Sequence, residues 1–152
     1  MDSLNLHLPG KLHQPAGLSL SVKLWEQMKS HVEGLDTEEV CGMIAGHYGE
    51  TVYRAEIVVP IKNELHSPTR YRMNPQEQLD AFFHFEEQGL DLIAIYHSHP
   101  NGPERPSPTD VAEAYYPEAI QLIWSQQAKE WGCRAFLVRG GRVREIALQP
   151  SA

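Results

Sequence analysis

The sequence predicts an α/β fold of mixed α+β type, with one central mixed sheet flanked by helices. Three observations carry that expectation. Segments with helical periodicity alternate with strand-like runs. Several neighbouring runs are joined by turns too short for a parallel crossover. One run, LDLIAIYH over residues 90–97, is almost continuously apolar, as a strand covered on both faces is. With 152 residues the chain can bury one substantial core.

Residues 1–17 carry Pro9, Gly10, Pro15 and Gly17 and little periodicity. They predict a flexible lead-in ahead of a single domain over 18–149. From Ser21, the residues Val22, Trp25, Met28, Lys29 and Val32 recur at spacings of three and four. That predicts an amphipathic helix, with Ser21 as N-cap and Gly34 as its stop. EEVCGMIAGH and TVYRAEIVVP read as strands, paired through a turn at Tyr48, Gly49 and Glu50. The polar stretch KNELHSPTRYRMNPQEQ reads as a long loop with a short strand, RYRM, inside it. Asn74 and Pro75 open a second helix that Gly89 ends. The buried run over residues 90–97 follows, then a short helix in SPTDVAEAYY. EAIQLIWS is a further strand, and CRAFLVRGGRVREIAL is a hairpin turning at Gly140 and Gly141.

The formal charge of −7 speaks against nucleic acid or an anionic membrane as partners. Cys41 and Cys133 stand in apolar contexts, EVCGMIAG and GCRAFLV, and read as buried free thiols. The N-terminus lacks the apolar region of a secretion signal, and no apolar run approaches the ~20 residues of a membrane span. The expected compartment is the cytoplasm.

The stretch HSHPNGPERPSPTD, residues 97–110, carries the chemistry. In an extended segment the side chains of His97 and His99 point to the same side, just beyond the end of the buried strand. The prolines that follow restrict the exit. Asp110 adds a carboxylate. Two imidazoles and one carboxylate suit zinc and leave a fourth position for water, the pattern of a catalytic site. The same residues also read as a surface loop with spare histidines and a capped helix start, with Ser107 as N-cap, Pro108 at N1 and Asp110 completing a capping box. A hydrolytic zinc site needs a general base. Glu38 and Glu39 precede an apolar strand, where a carboxylate loses water and its pKa rises. His7, His13, His31, His47, His66 and His84 have no second ligand at useful spacing. The tryptophans and Phe82, Phe83 and Phe85 read as packing residues.

The glutamate that opens EVCGMIAG, then HSHP, six residues and SPTD, resembles the signature of the JAMM (MPN+, Mov34/PAD-1) zinc metalloproteases. The resemblance extends over residues 18–148. It implies His97, His99 and Asp110 as ligands of one zinc per chain, Glu39 as general base and acid, and Ser107 as the group that steadies the oxyanion. It also implies a scaffold similar to the cytidine deaminases. The expected reaction is hydrolysis of an isopeptide or peptide bond at the C-terminus of a ubiquitin-like protein. Chain length and the RYRMNPQEQ and YHSHPNGPERPSPTDVAEAYYPEA segments resemble the compact bacterial branch, which acts on sulfur carriers and in one type releases cysteine. The carrier tail is expected to add as a strand beside RYRM, near Tyr71, Arg72, Met73 and Asn74, with Gly102 and Pro103 flanking a Gly-Gly path. No histidine follows His99, so the second zinc of the endosomal deubiquitinases of this family is not expected. Two other readings stand beside this one: a non-catalytic MPN-type scaffold, and a zinc hydrolase of a small amide. A homodimer stays open.

Overall fold

The computed structural model describes residues 13–151. Ten elements follow in order: β1 (Gly17–Ser21), α1 (Val22–Glu33), β2 (Cys41–His47), β3 (Val52–Ile61), α2 (Pro75–Gln88), β4 (Asp91–His99), α3 (Pro108–Ala112), β5 (Ile120–Gln127), β6 (Glu130–Arg139) and β7 (Arg142–Ser151). The mixed α/β class expected from the sequence is the class observed. The sheet, however, closes on itself in the order β1-β3-β2-β4-β5-β6-β7. β1 makes the closure by pairing in parallel with both β3 and β7.

The sequence reading missed β1, because a five-residue strand beside Pro15 shows too little periodicity to stand out. Residues 1–12 of the expected lead-in lie outside the described residues. Its last residues are tied to the barrel: Ala16 N–H donates to Thr51 O at 2.7 Å, and Ala16 O accepts from Ala147 N–H at 3.0 Å. Two further differences are local. The short helix ends at Ala112, and β5 runs on through Ala128 and Lys129, both at positive φ, into β6.

Strand alternation sorts the core. Ile44, Ala94, Tyr96, Leu122 and Trp124 share one cluster with Leu24, Met28 and Val32 of α1. Their neighbours Met43, Ala45 and Ile95 point the other way, to Ala81 and Phe85 of α2. β2 and β4 are therefore covered on both faces, which is why they read as continuous apolar runs. Gly42 is required by this packing, since a Cβ there would lie 2.2 Å from the Tyr96 ring. The helix caps are as expected: Ser21 accepts from Leu24 N–H, and Asn74 from Glu77 N–H, while Gly89 ends α2 at φ 68°. Cys41 is buried and Cys133 half-buried, and both are free. Phe83, expected in packing, is instead 58% exposed on the outer side of α2. Among the described residues no helix is long and apolar enough to cross a membrane.

Candidate metal centre and its cleft

β4 pairs with β2 on one side and in parallel with β5 on the other, so its carboxyl end is held from both sides. His97 and His99 leave that end on the same face and are almost fully buried. Their Nε2 atoms are 3.1 Å apart. Asp110 Oδ2 lies 3.1 Å from His97 Nε2 and 3.0 Å from His99 Nε2. Asp110 reaches this point because a capping box fixes the start of α3: Ser107 N–H donates to Asp110 Oδ2 at 2.8 Å, and Asp110 N–H to Ser107 Oγ at 3.0 Å. The two readings of SPTD, cap and ligand, thus use one carboxylate. Ser107 Oγ spends a lone pair on the cap, which leaves its O–H to donate elsewhere.

The shell behind the histidines is also built. His99 Nδ1 sits 2.7 Å from Pro103 O, which makes Nδ1 a donor and aims Nε2 at His97 and Asp110. Gly102 lets the loop close on the ring, because a Cβ there would lie 3.0 Å from His99 Cβ. The His97 ring stacks on Tyr71 with centroids 4.5 Å apart, and its Nδ1 has no hydrogen-bond partner. The proline-rich loop is tied to the barrel by Arg134, which bonds Glu104 and Glu145, and by Arg105 over the Phe136 ring.

Glu39 and Glu38 part company. Glu38 turns outward to His66 at 3.2 Å. Glu39 turns in and is 3% exposed, with no hydrogen-bond partner for Oε1 among the described residues. Its backbone is fixed on both sides: N–H donates to Ser67 O at 2.8 Å, and O accepts from Asn63 Nδ2 at 2.9 Å. The next residue is fixed too, because Val40 N–H donates to Ser98 Oγ at 2.9 Å. Ser98 therefore faces away from the histidines and locks the Glu39 segment to β4. Glu39, His97 and His99 offer ligand atoms that all lie within 4.8 Å of one another. This is a group able to hold a metal ion.

Electrostatics separate the two carboxylates. Burial pushes the Glu39 carboxyl up to about 8, opposed by His99 and helped by Asp110. Burial would raise Asp110 as well, but hydrogen bonds from His97, His99 and Ser107 N–H hold it far below the usual range. Burial lowers His97. It also pulls on His99, yet the bonds to Asp110 and Pro103 outweigh it and leave that ring above its ordinary value. A cluster with a buried carboxyl whose Oε1 has no partner among the described residues, and two imidazole nitrogens in near contact, fits a metal cation, which would take up the converging lone pairs.

The residues expected to bind a substrate tail divide into two groups. Tyr71, Arg72 and Met73 line a cleft of about 410 Å3 that ends at Asp110. Asn74 caps α2 and donates to Glu64, and Gly102 and Pro103 stand behind His99. RYRM is not the expected strand, since it makes only the isolated bridge Asn63–Met73. The Asn63 side chain takes the place of a partner strand: Oδ1 accepts from Leu65 and Arg72 N–H, and Nδ2 donates to Arg70 O as well as Glu39 O. Sequence reasoning missed Asn63 and Ser98. The only signal for Ser98 was its place between two inward histidines, which forces it to the opposite face.

Fold and site together define a small α/β domain with a candidate metal centre at a strand's carboxyl end. The chain belongs to the prokaryotic homologs of the JAB domain, a family matched by residues 21–138. It is 37% identical over 143 residues to a probable TtuB-protein conjugate cleaving protease of Thermus thermophilus, covering 92% of this chain and 86% of that one. It is 32% identical over 129 residues to the CysO-cysteine peptidase of Mycobacterium tuberculosis, with 84% and 87% covered. A desampylase of Haloferax volcanii is 33% identical over 124 residues, with 75% and 87% covered. A solution structure from Desulfitobacterium hafniense superposes with a TM-score of 0.79 at 31% identity, covering 88% of this chain and 92% of that one.

Proposed function

We propose that this protein is a zinc-dependent peptidase that hydrolyses the amide bond at the C-terminus of a ubiquitin-like protein, with a sulfur carrier as the substrate class. The observation that carries the reading is the triangle of His97 Nε2, His99 Nε2 and Asp110 Oδ2 beside Glu39, whose Oε1 has no hydrogen-bond partner among the described residues. His97, His99 and Asp110 would hold the metal. Asp110 suits a ligand because it stays ionised and touches both imidazoles, whereas Glu39 retains a proton more readily and suits proton transfer. Zinc, when bound, supplies Lewis acidity towards water and the scissile carbonyl.

The remaining steps belong to the chain's own residues. Glu39 takes a proton from the attacking water. The Ser107 hydroxyl donates to the carbonyl oxygen as that oxygen gains charge. Glu39 then returns its proton to the leaving amine, so water and amide become a carboxylic acid and an amine. The named relatives, which cleave TtuB conjugates or act on CysO-cysteine, support a carrier tail as substrate, and the cleft ending at Asp110 gives that tail a path. Two free thiols accord with a reducing cytoplasm.

The test is elemental analysis of the dialysed protein, paired with mass-spectrometric detection of cysteine released from a sulfur-carrier protein bearing it at the C-terminus. The expected result is about one zinc per chain and turnover. Glu39→Gln keeps zinc and loses turnover, and His97→Ala loses both. A folded wild-type protein that takes up no zinc would overturn the reading in favour of a binding scaffold. Normal hydrolysis by Glu39→Gln would remove the role given to that residue.

A further inference from the structure

The cleft that ends at Asp110 has a floor of two side chains, Ile95 of β4 and Gln121 of β5, which are register partners. Gln121 interrupts an otherwise apolar run of Ile120, Leu122, Ile123 and Trp124. It is only 6% exposed. None of the hydrogen bonds among the described residues engages its amide, and what exposure it keeps opens on the cleft it lines. The contrast with Asn63 is informative. That buried amide makes four hydrogen bonds to backbone groups and plainly organises the fold. Gln121 makes none among the described residues, so its amide is left to water or to whatever enters the cleft.

The walls of the cleft say what would satisfy it. Leu65, Met73 and Tyr116 give the cleft apolar walls, and Arg70, Gln78 and Glu113 stand among them. A peptide group placed there must find both a donor and an acceptor. A carboxamide offers one of each, side by side and without charge. Gln121 shares a face with Ile123, the register partner of His97, and stands one pleat behind it. One pleat is roughly 7 Å, or about two extended residues. The contact therefore falls about two residues from the bond to be cut.

Resting on the reading under Proposed function, we infer that Gln121 is a specificity residue whose amide pairs with a main-chain peptide group of the substrate's extended C-terminal tail. An apolar isostere would then bind the tail less well and leave the stability of the free protein unchanged. A residue that served the fold alone would behave in the opposite way.

The experiment compares the zinc-loaded full chain with its Gln121→Met variant. The probe is a peptide ending in Gly-Gly with an aminocoumarin amide, and binding of the free Gly-Gly-ended peptide is measured by calorimetry. The expected result is a KM and a peptide Kd each raised about tenfold, with kcat within about twofold of the parent. The melting temperature of the free variant should match the parent's. Unchanged KM and Kd, or a lowered melting temperature, would overturn the inference. If the parent cleaves neither this probe nor a carrier-cysteine adduct, the peptidase reading fails instead, and the calorimetric comparison still decides the role of Gln121.

Discussion

Glu39 offers a thermodynamic test that does not depend on knowing the substrate. Burial pushes its carboxyl from 4.5 up to about 8 in the metal-free protein. Below 4.5 the folded and unfolded states both hold the proton. Between 4.5 and about 8 the unfolded chain has released it and the folded protein has not. The folded state then binds more protons, so stability falls as pH rises through this interval and levels off above it. One proton corresponds to at most about 1.4 kcal/mol per pH unit, and across the whole interval to at most roughly 4–5 kcal/mol. For a domain of this size each pH unit should lower the melting temperature by about 3–5 °C.

Glu39→Gln keeps the shape and the neutral state but cannot ionise, so it should be flatter. The assay is thermal unfolding of metal-free parent and variant across the interval, reading the difference between the two curves. The difference reports Glu39 together with its charge coupling to His99 and Asp110. Parallel curves would refute the claim that Glu39 is a desolvated acid poised to carry a proton. Zinc loading of the parent should shrink the slope, because a nearby cation favours the carboxylate.

Two further outcomes follow from the geometry. Ser107→Ala removes the side-chain half of the capping box and should cost about 1 kcal/mol in thermal unfolding. If the Ser107 hydroxyl also stabilises the oxyanion, kcat drops by roughly a hundredfold or more with zinc retained; unchanged kcat would leave it only a cap. Gly42→Ala places a Cβ 2.2 Å from the buried Tyr96 ring and should destabilise by about 1–3 kcal/mol or more, read as a lower midpoint in urea.

The local elements were legible in the sequence wherever one short-range rule acted alone. Ser21 and Asn74 cap their helices because a side-chain oxygen reaches a backbone N–H three residues on. The parity of His97 and His99 follows from the pleat of a strand, and the arrival of Asp110 from the capping box that opens α3. The resemblance to a known signature chose Glu39 from the pair with Glu38, a choice the residues left open. What the chain could not announce were contacts between distant segments. Barrel closure depends on β1 meeting both β3 and β7, more than a hundred residues apart in the second case. RYRM carried strand-forming residues, but beyond one bridge to residues 62–64 its Arg70 O and Arg72 N–H are taken by the Asn63 side chain, and no ladder extends. Ser98 and Gln121 look alike in sequence, as single polar residues in apolar runs. Only the tertiary structure shows that one amide or hydroxyl is paired and the other is not: Ser98 meets Val40 across the sheet, and Gln121 meets an open cleft. Sequence periodicity determines which side of a strand a residue faces. What waits on that side is decided by segments that only folding brings there.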